Sequence, residues 1–406
     1  MTEKQIDLIV ERLVRRTEEA NVYFLKKIGE YIKEIRELRP TEAYQLVQIL
    51  KYGGSYEEIV KQISKYTDLN IKDIDDIFYN YAQQDYSFYE RFYQYKNIPF
   101  IPLKENVILR QQALEIASIV KKEMYNYTKS NMLGYSIKGL NGKTQFVGLK
   151  DTYVKVLDES LLNVSQGKET FDSAMSRIMK NIGDSGLKTV DYASGRSVRL
   201  DSTINMHLKS KLKELHNANQ EIIGKEIGAD GVEISVHQNP AIDHEKIQGR
   251  QFSNSEFEKL QNGEVAIDYT GKAFTLDHDG KNGYRPISEL NCQHIFYSIV
   301  LGVSSPEYTE EQLKEIRDKN NKGFEYKGKH YTMYEGTQLQ RTIEREIRKE
   351  KDTQILAVAA DNKELISKSQ ENIKYLTKMY NELNNISGLP SKPHRLKVEN
   401  YKKVAI

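Results

Sequence analysis

The sequence predicts a mainly α fold: long helices in the N-terminal half, a small loop-rich α+β unit in the C-terminal half, and helices after it. Three observations carry this. Residues 4–38 contain no Pro and one Gly, with Ile6, Ile9, Leu13, Ile28, Ile32 and Ile35 largely at three- and four-residue steps. Residues 231–237 alternate strictly, Val232, Ile234 and Val236 on one side and Glu233, Ser235 and His237 on the other, which is a strand pattern. Residues 240–336 are then rich in Gly, Asp and Asn with few long periodic runs, before a charged helical texture returns at Thr337.

Composition bounds the function classes. A chain of 406 residues is long enough for two to three domains and for a core without covalent staples. With 38% hydrophobic and 29% charged residues it reads as globular and polar-surfaced. No run of eighteen apolar residues occurs, so no membrane span is expected, and the start lacks the apolar block of a secretory signal. The single cysteine, Cys292, excludes an internal disulfide and a four-thiolate zinc site. Sixty basic and fifty-eight acidic side chains nearly cancel, so net charge gives no whole-chain reason to expect nucleic-acid binding.

The elements follow in order. Pro40 blocks the first helix, Thr41 is positioned to cap a second over 41–50, and Gly53-Gly54-Ser55 is a break. Helices are predicted over 56–66, 71–95 and 103–132. The 71–95 segment carries Phe78, Tyr79, Tyr81, Tyr86, Phe88, Tyr89, Phe92, Tyr93 and Tyr95. Few cations interleave these rings, so an amphipathic core or partner face is favoured over a single-stranded nucleic-acid stacking platform. Asn141-Gly142 marks a small hairpin. Helices are predicted over 151–162 and 170–181, and a long one over 199–228 with Leu200, Ile204, Leu208, Leu212, Leu215, Ile222 and Ile227 as its apolar stripe. A hairpin is expected around Lys327-Gly328. Thr337 and Gln340 match a capping box, Glu344 and Arg348 an i,i+4 pair, and a last helix spans 364–386 before Gly388 and Pro390.

Standard catalytic motifs are missing from the sequence: there is no phosphate-binding loop, nucleophile elbow or H-E-x-x-H. No catalytic residue is assigned. The residues that draw attention are His237 at the strand end, Asp243 and His244 in the following loop, and Cys292 and His294 in Asn-Cys-Gln-His. Three imidazoles and one thiolate are a donor set suited to tetrahedral zinc, although the C-x-H and H-x₆-H spacings are not the usual clips. Asp277-His278-Asp279-Gly280, with Asn282, offers a second polar cluster whose simpler reading is a turn. The tail, 391–406, sets Lys392, Arg395, Lys397, Lys402 and Lys403 against Glu399 alone, a pattern that suits DNA phosphates, an acidic partner, or a frayed terminus.

Four stretches together resemble the phage minor capsid protein 2 family. They are Asp191-Tyr-Ala-Ser-Gly-Arg196, the segment from Val236 to Phe252, Leu290-Asn-Cys-Gln-His through Gly302, and Tyr331 to Arg348. The resemblance covers roughly 185–400 and extends to the wider Mu F-like head-morphogenesis group. It implies a virion protein of the head interior near the portal, with roles in head assembly and genome delivery, and a Cys/His pattern suggestive of metal. His237 and His244 match the family's paired histidines, and Cys292 and His294 its Asn-Cys-Arg-His element, with Gln293 here in place of Arg.

The organisation expected is a helical N-terminal domain over 1–150 that docks on portal or capsid proteins, and a helical connector over 151–230. The α+β unit with the Cys/His site follows over 231–336, then helices and a basic tail over 337–406. The function expected is a non-enzymatic minor structural protein with structural zinc at His237, His244, Cys292 and His294, assembled in the host cytoplasm. The alternatives are a metal-dependent hydrolase or nuclease packaged in the virion, and an internal DNA-binding head protein.

Overall fold

The structure, a computed structural model, describes residues 3–37, 55–129, 131–139, 142–149, 151–152, 169–190, 195–276, 285–288 and 292–402. The second predicted helix, the Gly53-Gly54 break, most of the 151–162 helix, the Asp277–Gly280 cluster with Asn282, and Lys403 lie outside these residues.

The N-terminal half is mainly helical as predicted, although the helix predicted over 71–95 is broken by a turn at Phe88-Tyr89. Helix α1 spans Glu3–Glu37, α2 Ser55–Ser87, α3 Glu90–Tyr95 and α4 Val107–Tyr127. The break expected between 66 and 71 is absent, because Thr67 and Asn70 donate to carbonyls within the helix packing. Thr67 Oγ1 donates to the Ile63 carbonyl and Asn70 Nδ2 to the Leu13 carbonyl of α1. Asn106 caps α4, its side chain accepting from the Leu109 amide at 3.1 Å. The aromatic segment is core: Phe78, Tyr81, Tyr86, Tyr89 and Tyr93 are buried, while Phe88 and Tyr95 stay about 70% exposed. That burial removes the stacking-platform reading.

The hairpin around Asn141-Gly142 is formed by β1 (Leu133–Lys138) and β2 (Thr144–Gly148), with Tyr135 opposite Val147. Helix α5 (Phe171–Ser185) follows, capped by Thr170, and β3 (Lys188–Val190) and β4 (Ser197–Arg199) extend the hairpin into a sheet of order β2-β1-β3-β4. Strands of three residues are too short to show alternation, so the residue pattern carries no sign of them. The long helix α6 runs Leu200–Ile227 and ends on Gly228 at φ +67°, the left-handed conformation glycine adopts without strain.

The α+β unit begins with β5 (Gly231–Ile234), three residues shorter than predicted. Beyond Ile234 the backbone turns to other partners: the Ser235 amide donates to the Ile295 carbonyl and the His237 amide to Gln248 Oε1. β6 (Gln251–Ser253) and β9 (Phe296–Ile299) flank β5 antiparallel, Val232 facing Phe252 and Ser298. Helix α7 (Asn254–Gln261) and the small pair β7 (Ala266–Ile267) and β8 (Ala273–Phe274) complete a core of Val232, Ile234, Ile247, Phe252, Leu260 and Ile287. Helix α8 (Glu310–Lys322), opened by a Thr309–Gln312 capping box, is not predicted from the sequence; Leu313 and Ile316 are its only apolar residues. The β10–β11 hairpin (Phe324–Tyr326, Lys329–Tyr331) turns at Lys327-Gly328 as expected.

Helix α9 spans Met333–Ala359, starting four residues before Thr337 because Thr332 and Glu335 make the capping box. Thr337 instead donates to the Tyr334 carbonyl. The expected Glu344–Arg348 pair is replaced by tertiary contacts. Glu344 is buried near Tyr380 and Arg395, and Arg348 reaches Asp201 at 2.8 Å and Glu18 at 3.4 Å. Helix α10 (Lys363–Ser387) ends on Gly388, and the chain continues through a 3₁₀ turn at Pro393–Leu396. One large apolar cluster joins α1, α2, α4, α5, α6 and the end of α9, with a second around Tyr380, Ile343 and Phe324. Within the helical body lies a buried ionic network: Arg199 binds Asp352 at 2.9 Å and Asp201 at 3.1 Å.

Candidate metal centre

Sequence-distant segments meet at Cys292. The loop after β5 supplies His244, and the segment entering β9 supplies Cys292 and His294. Their donor atoms all lie within 4.8 Å of one another, and the three residues are 0%, 1% and 4% exposed. Cys292 Sγ is 3.3 Å from His244 Nδ1 and 3.5 Å from His294 Nδ1. For tetrahedral zinc, Zn–S of about 2.3 Å and Zn–N of about 2.0 Å give an S···N edge of about 3.5 Å. The observed separations match that edge.

Hydrogen bonding fixes which nitrogen of each ring carries a lone pair. His244 Nε2 faces the Arg285 carbonyl at 2.6 Å, and a carbonyl only accepts, so Nε2 carries the hydrogen. His294 Nε2 faces Gln248 Oε1 at 3.2 Å, and that oxygen also receives the His237 amide at 2.9 Å, which fixes the Gln248 orientation. Both Nδ1 lone pairs therefore aim at the same sulfur. A thiol has one proton and satisfies one of them; a cation held by the thiolate satisfies both. The donor set fits a soft divalent ion on this ground.

The surroundings hold these side chains in place. Arg285 forks onto Asp243 with two bonds of 2.9 Å, fixing the carbonyl that orients His244. Ser288 Oγ donates to the His294 carbonyl at 2.8 Å, and Lys213 of α6 donates to the Cys292 carbonyl. Burial pushes the Cys292 thiol up, opposed in part by the Ser288 and His294 amides and by the Arg285 and Lys213 charges. Burial also holds His244 below, and His294 well below, the ordinary histidine range. Such a pocket keeps both imidazoles neutral, the form that ligates metal.

Of the four zinc ligands expected from the sequence, three meet here. His237 stands beside them, its ring centroid 4.5 Å from that of His294 and nearly perpendicular to it, outside the trio whose donors converge. Residue patterns alone do not single out Lys213, Gln248, Arg285 or Ser288 as site residues. Gln248 lies inside the quoted 236–252 motif, whereas Lys213 belongs to a helix face that reads as solvated. The basic tail is elsewhere and largely docked. Lys392 and Arg395 are half-buried, with the Lys392 amide on the Tyr380 hydroxyl at 2.7 Å, while Lys397 and Lys402 are exposed.

No helix among the described residues is long and apolar enough to cross a membrane. No curated protein and no solved structure matches the chain. A family model does, the one described as phage minor capsid protein 2, over residues 1–383. That match spans nearly the whole sequence, so the chain belongs to the phage minor capsid protein 2 family and is a structural component of a phage virion.

Proposed function

We propose that this protein is a minor structural component of a tailed-phage head, placed near the portal, that contributes to head assembly and genome delivery. The helical N-terminal half docks on portal or capsid proteins. The α+β unit is a rigid module pinned by structural zinc on His244, Cys292 and His294, with His237 as the adjacent fourth donor. The observation that carries the structural reading is the burial of all three converging donors. A structural zinc site is closed by protein ligands, whereas a catalytic one keeps a position open to water and substrate. This burial favours a scaffold role over a metal-dependent hydrolase or nuclease. Bound there, zinc would add its binding free energy to the folding of a unit that is mostly loop.

Support for the docking half comes from α4. Val107, Ile108, Leu114, Ile119 and Tyr125 are 42–63% exposed there, more apolar surface than a solvated helix needs. The test is the composition of purified virions. Quantitative mass spectrometry should find the chain at a few copies per particle, retained after the tails are removed. Its absence from intact particles, or its loss with the tails, would overturn the proposal.

A further inference from the structure

The sequence places cations in the C-terminal segment, and the structure seats that segment against α9. Lys351 of α9 donates to the Leu396 carbonyl at 2.6 Å, and the Tyr401 hydroxyl donates to Gln354 at 2.5 Å. Val398 enters the main core. Around Glu344, which is buried, stand Arg395 at 4.0 Å, then Lys392 and Arg341, all close enough to pull its carboxyl down against the effect of burial. Arg345 lies one turn beyond Arg341, on the same exposed face of α9, and Lys397 is exposed on the segment beside it.

We infer that this face, built from Arg341 and Arg345 of α9 and Lys392, Arg395 and Lys397 of the C-terminal segment, binds the phosphate backbone of duplex DNA. Glu344, the carboxylate at its centre, is spent inside the fold, so the face presents positive charge. Backbone binding needs only such charge, held at fixed positions, and guanidinium forks match phosphate oxygens. A protein partner would instead be expected to find apolar anchors. Among the described residues, the large exposed hydrophobics all lie outside 335–349 and 391–402. The acidic side chains that flank these cations in sequence, Glu346 and Glu399, are engaged by Lys349 at 2.6 Å and Arg15 at 3.5 Å. The inference holds whether or not the Cys292 site carries metal.

The test is fluorescence anisotropy of the full chain with a labelled duplex between roughly 50 and 200 mM salt. Five contacts predict a log–log slope of roughly −4 to −5, hence a loss of two or more orders of magnitude across that range. The double variant Arg341→Gln/Arg345→Gln should flatten the slope by about 2, and Lys392→Gln/Lys397→Gln by a similar amount. Lys314→Gln on α8 should leave it unchanged. Thermal melts of each variant confirm folding. No binding at the lowest salt, a slope unmoved by both double variants, or displacement by polyglutamate as effective as by duplex at equal charge would each overturn the inference.

Discussion

Helix α6 meets two regions of the molecule by different means. Toward the helical body it buries Leu200, Ile204, Leu208, Leu212, Leu215 and Ile223 in the main core. Toward the α+β unit it presents a polar row instead. Lys213 donates to the Cys292 carbonyl and His216 Nε2 to the Phe296 carbonyl at 2.9 Å, while Gln220 Oε1 accepts the Ser298 amide at 2.9 Å. His216 and Gln220 are fully buried. Apolar packing tolerates small shifts, whereas a row of buried hydrogen bonds specifies one register. Along α6, then, the helical body is held mainly by burial, and the α+β unit is positioned by bonds, with its own separate core.

Breaking the body's ionic centre should have the largest effect. Arg199→Ala leaves Asp352 and Asp201 buried without their main partner and should cost about 3–5 kcal/mol, read by denaturant unfolding. A smaller cost is expected from Gly183→Ala. A methyl there would lie 2.7 Å from Thr353 Cα, backbone that cannot swing aside, and should cost about 1–3 kcal/mol by separating α5 from α9. Gln220→Ala strips partners from the Ser298 amide and the Tyr89 hydroxyl and should also cost about 1–3 kcal/mol. Segment-resolved hydrogen exchange separates these last two: Gly183→Ala should loosen 171–185 and 345–359, Gln220→Ala chiefly 292–299.

The two regions should also respond oppositely to pH. His244 and His294 are held neutral by burial, so below their ordinary value of 6.5 the unfolded chain takes up more protons. Their contribution is present above pH 6.5 and fades as pH falls. Glu18 is pushed up to about 8 by burial and by Asp201. Its contribution is complete below its ordinary value of 4.5 and is lost as pH rises through about 8. Exchange corrected for intrinsic rates should weaken first in 231–299 at about pH 5.5, and in the α1–α6–α9 contacts at about pH 8.5. Glu18→Gln should abolish the alkaline weakening. If both regions weakened together at both extremes, the distinction between them would fail. The smallest effect belongs to the surface: Arg341→Gln/Arg345→Gln should leave stability within about 0.5 kcal/mol.

The same contrast explains what was legible in the sequence. Apolar periodicity located α1 and α6 to within a residue or two, because burial imposes a repeat on the chain, and the Gly388 and Pro390 stop signals did the same for α10. It suggested a break near Thr67 and Asn70, whose inward bonds in fact keep α2 continuous, and it missed α8, which has almost no apolar face. At the candidate site, residue chemistry alone nominated His244, Cys292 and His294. Gln248 and Arg285, which fix the tautomers, and Lys213, which ties the site to α6, act through tertiary hydrogen bonds that leave no periodic trace.

The central claim is that three buried donors hold a metal which fixes the α+β unit. Metal analysis of the purified full chain, beside Cys292→Ser, tests it most directly. The account predicts close to one zinc per chain, lost in Cys292→Ser together with exchange protection in 231–299 while the helical body keeps its own. Metal-free wild-type protein with that segment fully protected would contradict it.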